Sequence, residues 1–237
     1  MATVKAKQAR RRQSSDVPTK ERIVVAAVRE FAKFGLNGAR IDEIARSAGI
    51  NKQLLYHHLG DKEDVYLAAL ERVYSDFRTR EQSLDLEDLD PWIALERLLT
   101  FKFEYLSRHP DYVALLTDAN MHRGRHVRRS KVLAQMHANL VGKLAVILER
   151  GQQLGEFRRG IDPLQVYISL AALCYFYFGN IHTLSSVLQV KLAGKEALAE
   201  RLAHVIDFVK ASLRSTTSVD GIRSRLDDDQ RIPASSN

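Results

Sequence analysis

The sequence predicts an all-α protein made of a small N-terminal helical head and a larger helical body. Apolar residues recur at three- and four-residue spacings from about residue 19 to residue 213, and no stretch shows sustained period-two alternation. The breaks between these stretches fall at helix-ending and helix-starting residues such as Gly35, Gly49, Pro91 and Pro110. The 237 residues are 45% hydrophobic and 27% charged, enough to bury a core without disulfides or a structural metal.

Thr19, after Pro18, is expected to cap a first helix over about 19–34, with Ile23, Ala26, Ala27 and Phe31 on its apolar face and Gly35 as its stop. Ile41, Ile44, Ala45 and Ala48 form a short second helix ended by Gly49, and Asn51 can cap a third that carries Leu54, Leu55 and His58. Asp61, with Asp64 three residues on, starts a long fourth helix through Val65, Leu70, Val73 and Phe77. Pro91 belongs in the first turn of a fifth helix reaching about Ser107, which His109-Pro110 breaks. A sixth helix is expected over 111–120, a seventh over 132–150, an eighth from Asp162-Pro163 and a ninth over 195–213. Residues 1–18 are a flexible basic arm, with Lys5, Lys7, Arg10, Arg11 and Arg12 among small polar neighbours, and 214–237 a disordered tail.

The net charge of +7 is unevenly placed. Residues 1–60 hold twelve Lys/Arg against five Asp/Glu, whereas the remainder is balanced. A basic head on a neutral body is the electrostatic footprint of a protein that binds a polyanion, nucleic acid before a membrane surface. One cysteine, Cys174, excludes an intrachain disulfide and a cysteine-based zinc site. The first residues, Met1-Ala-Thr-Val-Lys5, carry no apolar signal segment, so the expected compartment is the cytoplasm.

Ala45, Gly49, Ile50 and Leu55 place two short helices in close crossing, Ala allowing the approach and Gly the turn. That is the pattern of a helix-turn-helix whose second helix fits a major groove. The run from Thr19 through Phe31-Ala-Lys-Phe-Gly-Leu-Asn-Gly38, followed by Ile41-Asp-Glu-Ile-Ala-Arg-Ser-Ala-Gly-Ile-Asn-Lys-Gln-Leu-Leu-Tyr-His-His-Leu-Gly-Asp-Lys-Glu-Asp64, resembles the DNA-binding head of TetR/AcrR-type transcriptional regulators. The resemblance is specific over about 55 residues, and the rest of the chain matches in helical layout only. It implies a helix-turn-helix domain with its linking helix over 19–80 and an effector-binding and dimerisation domain over 81–213. Leu55-Tyr56-His57 would end the recognition helix and Lys62-Glu63 would begin the linking helix. Two positions depart from the family pattern: Ala39-Arg40 stand where Ser or Thr usually precedes the second helix, and Leu59 replaces an aromatic residue.

Chemistry assigns roles within that motif. Lys52 and Gln53 are the candidate base readers, since Lys donates to guanine and Gln pairs bidentately with adenine. Tyr56 and His57 suit phosphate oxygens, with core packing the alternative for Tyr56. Thr19, Arg40, Arg46 and Lys62 are further phosphate ligands, and Asn51 completes the DNA-facing set. The resemblance implies a homodimer on palindromic double-stranded DNA, and Leu173, Phe176, Leu198, Leu202, Val205 and Val209 are expected at the dimer interface. It also implies a small-molecule effector, for which Phe101, Tyr105, Tyr112, Met121, Tyr175 and Phe178 could line an apolar pocket.

From Pro163 to Val190 there is no Asp, Glu, Lys or Arg, a length that could span a membrane. Scattered polar residues favour a buried subunit interface instead, so no membrane partner is expected. His122 and His126 have the i, i+4 spacing of a helical metal pair, but Gly124 interrupts them and no third ligand can be named. The five cations over 123–131 are expected to form a solvated helix start, paired with acidic residues elsewhere. No metal or cofactor is expected. No phosphate-binding Gly loop or nucleophile elbow is present either, so the chain is not expected to be an enzyme. The favoured function is a regulator that occludes DNA as a repressor and is released by an effector. A ligand-independent regulator or activator, or a membrane-associated helical adaptor, are the alternatives.

Overall fold

The computed structural model describes residues 18–137 and 141–215, and the basic arm and nearly all of the C-terminal tail lie outside them. Twelve helices account for almost all of the described residues: α1 (Thr19–Gly38), α2 (Ile41–Ala48), α3 (Lys52–Leu59), α4 (Lys62–Gln82), α5 (Pro91–Arg108), α6 (Pro110–Met121), α7 (Arg125–Arg129), α8 (Lys131–His137), α9 (Gly142–Gln153), α10 (Pro163–Gly179), α11 (Ile181–Leu188) and α12 (Lys195–Leu213). The all-α expectation holds; the only β element among these residues is an isolated bridge between Phe157 and Arg214.

Local chemistry places most helix starts where the sequence puts them. Asn51 Oδ1 accepts the Leu54 amide at 2.8 Å, and Asp61 and Asp64 form a reciprocal capping box at the start of α4. Asp90 Oδ1 accepts Trp92 N at 2.9 Å, and Asp162 Oδ1 accepts Leu164 N at 2.8 Å. The exception is Thr19. Pro18 occupies the N-cap position and no side chain caps α1, so Thr19 is the first helical residue.

Three expected helices differ in extent. α1 continues past Gly35 to Gly38, with a kink at Gly35, where φ is 65° and ψ 178°. The stretch expected as one helix over 132–150 contains α8 and α9. The uncharged stretch breaks at Asn180, whose side-chain amide bonds back to the Phe176 carbonyl at 2.9 Å, so α10 and α11 meet at a 67° bend. Among the described residues no single helix is long and apolar enough to cross a membrane.

The described residues divide into two compact units, 18–83 with 104–137, and 84–103 with 141–215, so the division falls inside α5. In the first, Ile23, Ala27, Phe31, Ile44, Leu55, Val65, Tyr66, Leu70 and Leu115 are fully buried or nearly so. In the second, the core includes Leu95, Leu99, Leu144, Leu148, Phe157, Leu170 and Val205. Trp92 packs edge-on against Phe157, centroids 4.4 Å apart, beside Gly151, where a Cβ would meet the Phe157 ring at 2.2 Å. Arg214 and Ser215, the described start of the tail, are attached: Ser215 N donates to Glu156 O at 3.0 Å.

Candidate nucleic-acid interface

The geometry of the head follows from one turn. Gly49 ends α2 at φ 70°, ψ 36°, a left-handed conformation that a side chain would strain, and its amide returns to α2 while Ile50 N bonds to Ala45 O at 3.0 Å. α3 therefore leaves at a new angle with Leu55 as its only buried residue. Every other residue from Lys52 to His58 is exposed. A helix with one buried apolar residue and an open surface that carries Lys52, Gln53, Tyr56 and His57 is suited to enter a groove.

The structure brings the expected contact residues to that open surface in different degrees. Lys52 and Gln53 lie in the first turn of α3 and Tyr56 and His57 one turn later, all exposed, with Tyr56 at 40%. Lys52 Nζ lies 3.2 Å from Asp42 Oδ1 and 5.9 Å from the Tyr56 ring centroid, a solvent-exposed arrangement that DNA can displace at little cost. Arg46 pairs with Glu43, which raises its already high pKa. Arg40 is exposed at the α2 N-cap with its amide held by Glu30 Oε1 at 3.1 Å. Asn51 spends its carbonyl oxygen on the cap, leaving only its amide nitrogen to face outward. Lys62 Nζ donates to the Asn37 carbonyl at 3.2 Å, and Thr19 is half-buried at the start of α1.

The contacts that hold the head were missed by the sequence reading. Asp118, on α6, accepts the Leu36 amide through Oδ1 and Oδ2 at 3.3 and 3.2 Å and the Tyr66 hydroxyl through Oδ2 at 2.6 Å. One carboxylate thus ties the kinked end of α1 and the middle of α4 to α6. Burial and then this hydrogen bond push the Tyr66 phenol up from its ordinary value, so it stays a donor. Beside it, Glu63 at the start of α4 takes Arg125 at 2.8 Å and Arg129 at 3.3 Å, and Ser130 Oγ donates to Glu71 at 2.5 Å. The expected pairing of the basic run with distant acids is found here.

His126 is buried against the Tyr66 ring edge at 4.9 Å, with Nε2 3.6 Å from Glu63 and neither ring nitrogen hydrogen-bonded. Burial, and next the Arg125 charge, pull its pKa below the ordinary histidine value. No group of three or more metal-ligating side chains occurs among the described residues.

The residues expected around an effector divide between the units. Tyr105 and Tyr112 are buried in an aromatic cluster in the first unit: Phe77 stacks on Tyr112 at 5.3 Å and Tyr105 meets His109 at 3.9 Å. Burial pushes the Tyr105 phenol up to about 12. Met121 does not fit the expected apolar lining: at the end of α6, where the helix runs out into a turn, it is 78% exposed. In the second unit Phe101, Tyr175 and Phe178 are half-buried, and Phe178 packs on Phe103 at 4.8 Å.

The expected interface set needs a correction too. Phe176 is 56% exposed and Leu173, Leu198 and Leu202 are half-buried, but Val205 and Val209 lie in the core of their own subunit and have no surface to offer a partner. The exposed apolar residues of α10 to α12 include Leu164, Ile168, Val187, Leu188 and Phe208 instead.

Comparison with known proteins places this geometry among regulators. Residues 23–69 match a family model described as bacterial regulatory proteins, tetR family, and residues 91–209 one described as tetracyclin repressor-like, C-terminal domain. The HTH-type transcriptional repressor NicS of Pseudomonas putida is 40% identical over 196 residues, covering 83% of this chain and 92% of that one. Among solved structures, the putative transcriptional regulator SCO4942 from Streptomyces coelicolor aligns with a TM-score of 0.64 at 25% identity, over 83% of this chain and 98% of that one. The regulator FadR from Bacillus subtilis, solved in complex with stearoyl-CoA, shares the fold with a TM-score of 0.60 at 18% identity, over 81% and 98%.

Proposed function

Because the chain belongs to the TetR family of bacterial regulatory proteins, we propose that it is a homodimeric repressor that reads a palindromic operator through α3 and leaves it when a small molecule binds the body. The observation that carries this reading is α3 itself, with Leu55 its one buried residue and Lys52, Gln53, Tyr56 and His57 exposed. Lys52 and Gln53 read base edges; Tyr56, His57, Arg40, Arg46 and Lys62 hold phosphates and fix register. Thr19, at the start of α1, and the amide nitrogen of Asn51 add to the phosphate contacts.

Two recognition helices must be held at a fixed spacing to read a palindrome. The exposed apolar surface of α10 to α12, with Phe176 and Phe208 each 56% exposed, supports a partner subunit there. The effector is a small molecule with an apolar part that the aromatic body takes up; FadR from Bacillus subtilis, which shares the fold, binds stearoyl-CoA, whose acyl chain is apolar. Release follows if the effector binds better to a conformation in which the heads are misplaced. α4 is the natural carrier, since Glu63 and Tyr66 tie it to α7 and α6.

Selection of bound sequences from random duplex DNA, with the full chain at a stated salt concentration, tests this reading. A palindrome is expected. Lys52→Ala should then change base preference, and Tyr56→Phe should weaken all sites alike by about three- to tenfold, the worth of one hydrogen bond. Recovery of no preferred sequence, or the reverse pattern in the two variants, contradicts the assignment.

A further inference from the structure

The flank of the head carries a basic surface that the recognition helix does not use. A cleft of about 580 Å³ opens between α1 and α2, lined by Arg29, Glu30, Lys33, Arg40, Glu43 and Arg46, with Phe34 on its wall. Four cations face two carboxylates, and both carboxylates are committed: Glu30 to the Arg40 amide, Glu43 to Arg46. Arg29 and Lys33 are exposed and have no carboxylate partner among the described residues. They stand four residues apart on one face of α1, so they present two donors along a single line. The Lys33 ammonium lies 4.8 Å from the Phe34 ring centroid, and Phe34 itself is 48% exposed.

A cleft with excess positive charge, open to solvent and walled in part by apolar surface, fits a polyanionic backbone. Its far edge is already part of the DNA face, because Arg40 and Arg46 line the cleft and flank the helix-turn-helix. We propose that the cleft is a second DNA-backbone site, in which Arg29 and Lys33 bind phosphates flanking the half-site that α3 reads. The contact lengthens the footprint of each head and adds affinity without adding sequence preference. This rests on the DNA-binding reading above.

The test uses the full chain, a duplex recovered by selection, and two lengths of it, one trimmed to the palindrome and one extended by a helical turn on each side. Affinity is measured across salt concentrations by fluorescence anisotropy. For Arg29→Gln/Lys33→Gln, which removes two contacts from each head of the dimer, the slope of log affinity against log salt on the extended duplex should fall by about 3.6, near 0.9 per lost phosphate contact. Between 50 and 200 mM salt that is about a 150-fold difference in how far wild type and variant weaken. On the trimmed duplex the two slopes should agree, and base preference should be unchanged on both. Glu30→Gln should tighten binding to the extended duplex at low salt, the opposite sign, by removing a carboxylate from the cleft. Equal slopes for wild type and variant on the extended duplex overturn the inference while leaving the operator reading intact. Equal loss on both duplexes also overturns it, by placing the two cations within the half-site. A wild type that selects no sequence sinks the operator reading and this one with it.

Discussion

Replacing Gly35 with alanine should weaken the head through a single carboxylate. At φ 65° and ψ 178° the backbone lies in a region essentially reserved for glycine, so any side chain there is strained by about 1–3 kcal/mol. The new Cβ would also sit 2.5 Å from Asp118 Oδ1 and 3.4 Å from Asp118 Cγ, and the carboxylate must move away. It then gives up at least one of its bonds to Leu36 N and the buried Tyr66 hydroxyl, each worth about 1.5–3 kcal/mol as a hydrogen bond to a charged group. The two contributions come to about 2.5–6 kcal/mol, a large part of the roughly 5–15 kcal/mol that holds a folded protein together. Urea titration followed by far-UV circular dichroism measures it, at fixed protomer concentration because a dimer's midpoint depends on concentration. The diagnostic is a double-mutant cycle with Asp118→Ala. Without the carboxylate, Gly35→Ala should cost only the backbone strain, leaving a coupling of about 1.5–3 kcal/mol between the two sites. Equal costs in both backgrounds would refute the reasoning, because residue 35 would then be insensitive to Asp118.

Phe176→Glu combined with Phe208→Glu, which puts charge on the exposed apolar face of α10 and α12, should turn a dimer into a monomer in sedimentation at micromolar concentration with helix content retained; a persistent dimer would move the interface elsewhere. The buried His126 has a folded pKa below its unfolded value near 6.5, so between the two the unfolded chain holds a proton the native one lacks, and stability falls as the pH drops below about 6.5. His126→Gln should flatten that slope, with His109, also shifted down by burial, accounting for part of what remains; an unchanged slope contradicts the assignment. Burial pushes the Cys174 thiol up to about 11, so at pH 8 it should resist a disulfide reagent in the native protein and react promptly in denaturant, and fast native labelling would contradict its burial.

Taken alone, the sequence determined what is decided within about four residues: the caps at Asn51, Asp61 and Asp162, the left-handed turn at Gly49, the break at His109-Pro110, and hence the helix-turn-helix with α3 facing outward. Such features depend on which backbone groups lie within reach of a side chain along its own helix, and residue order states that directly. Only the tertiary structure decided which residues meet across 52 to 82 positions, as Asp118 meets Tyr66 and Leu36. It also decided which members of an apolar stripe turn inward. Val205 and Val209 have the same helical spacing as their exposed neighbours would suggest for an interface, yet both face their own core while Phe208 faces out. Periodicity says that a helix has an apolar face, but packing chooses which neighbour covers it, a partner subunit or the chain's own core.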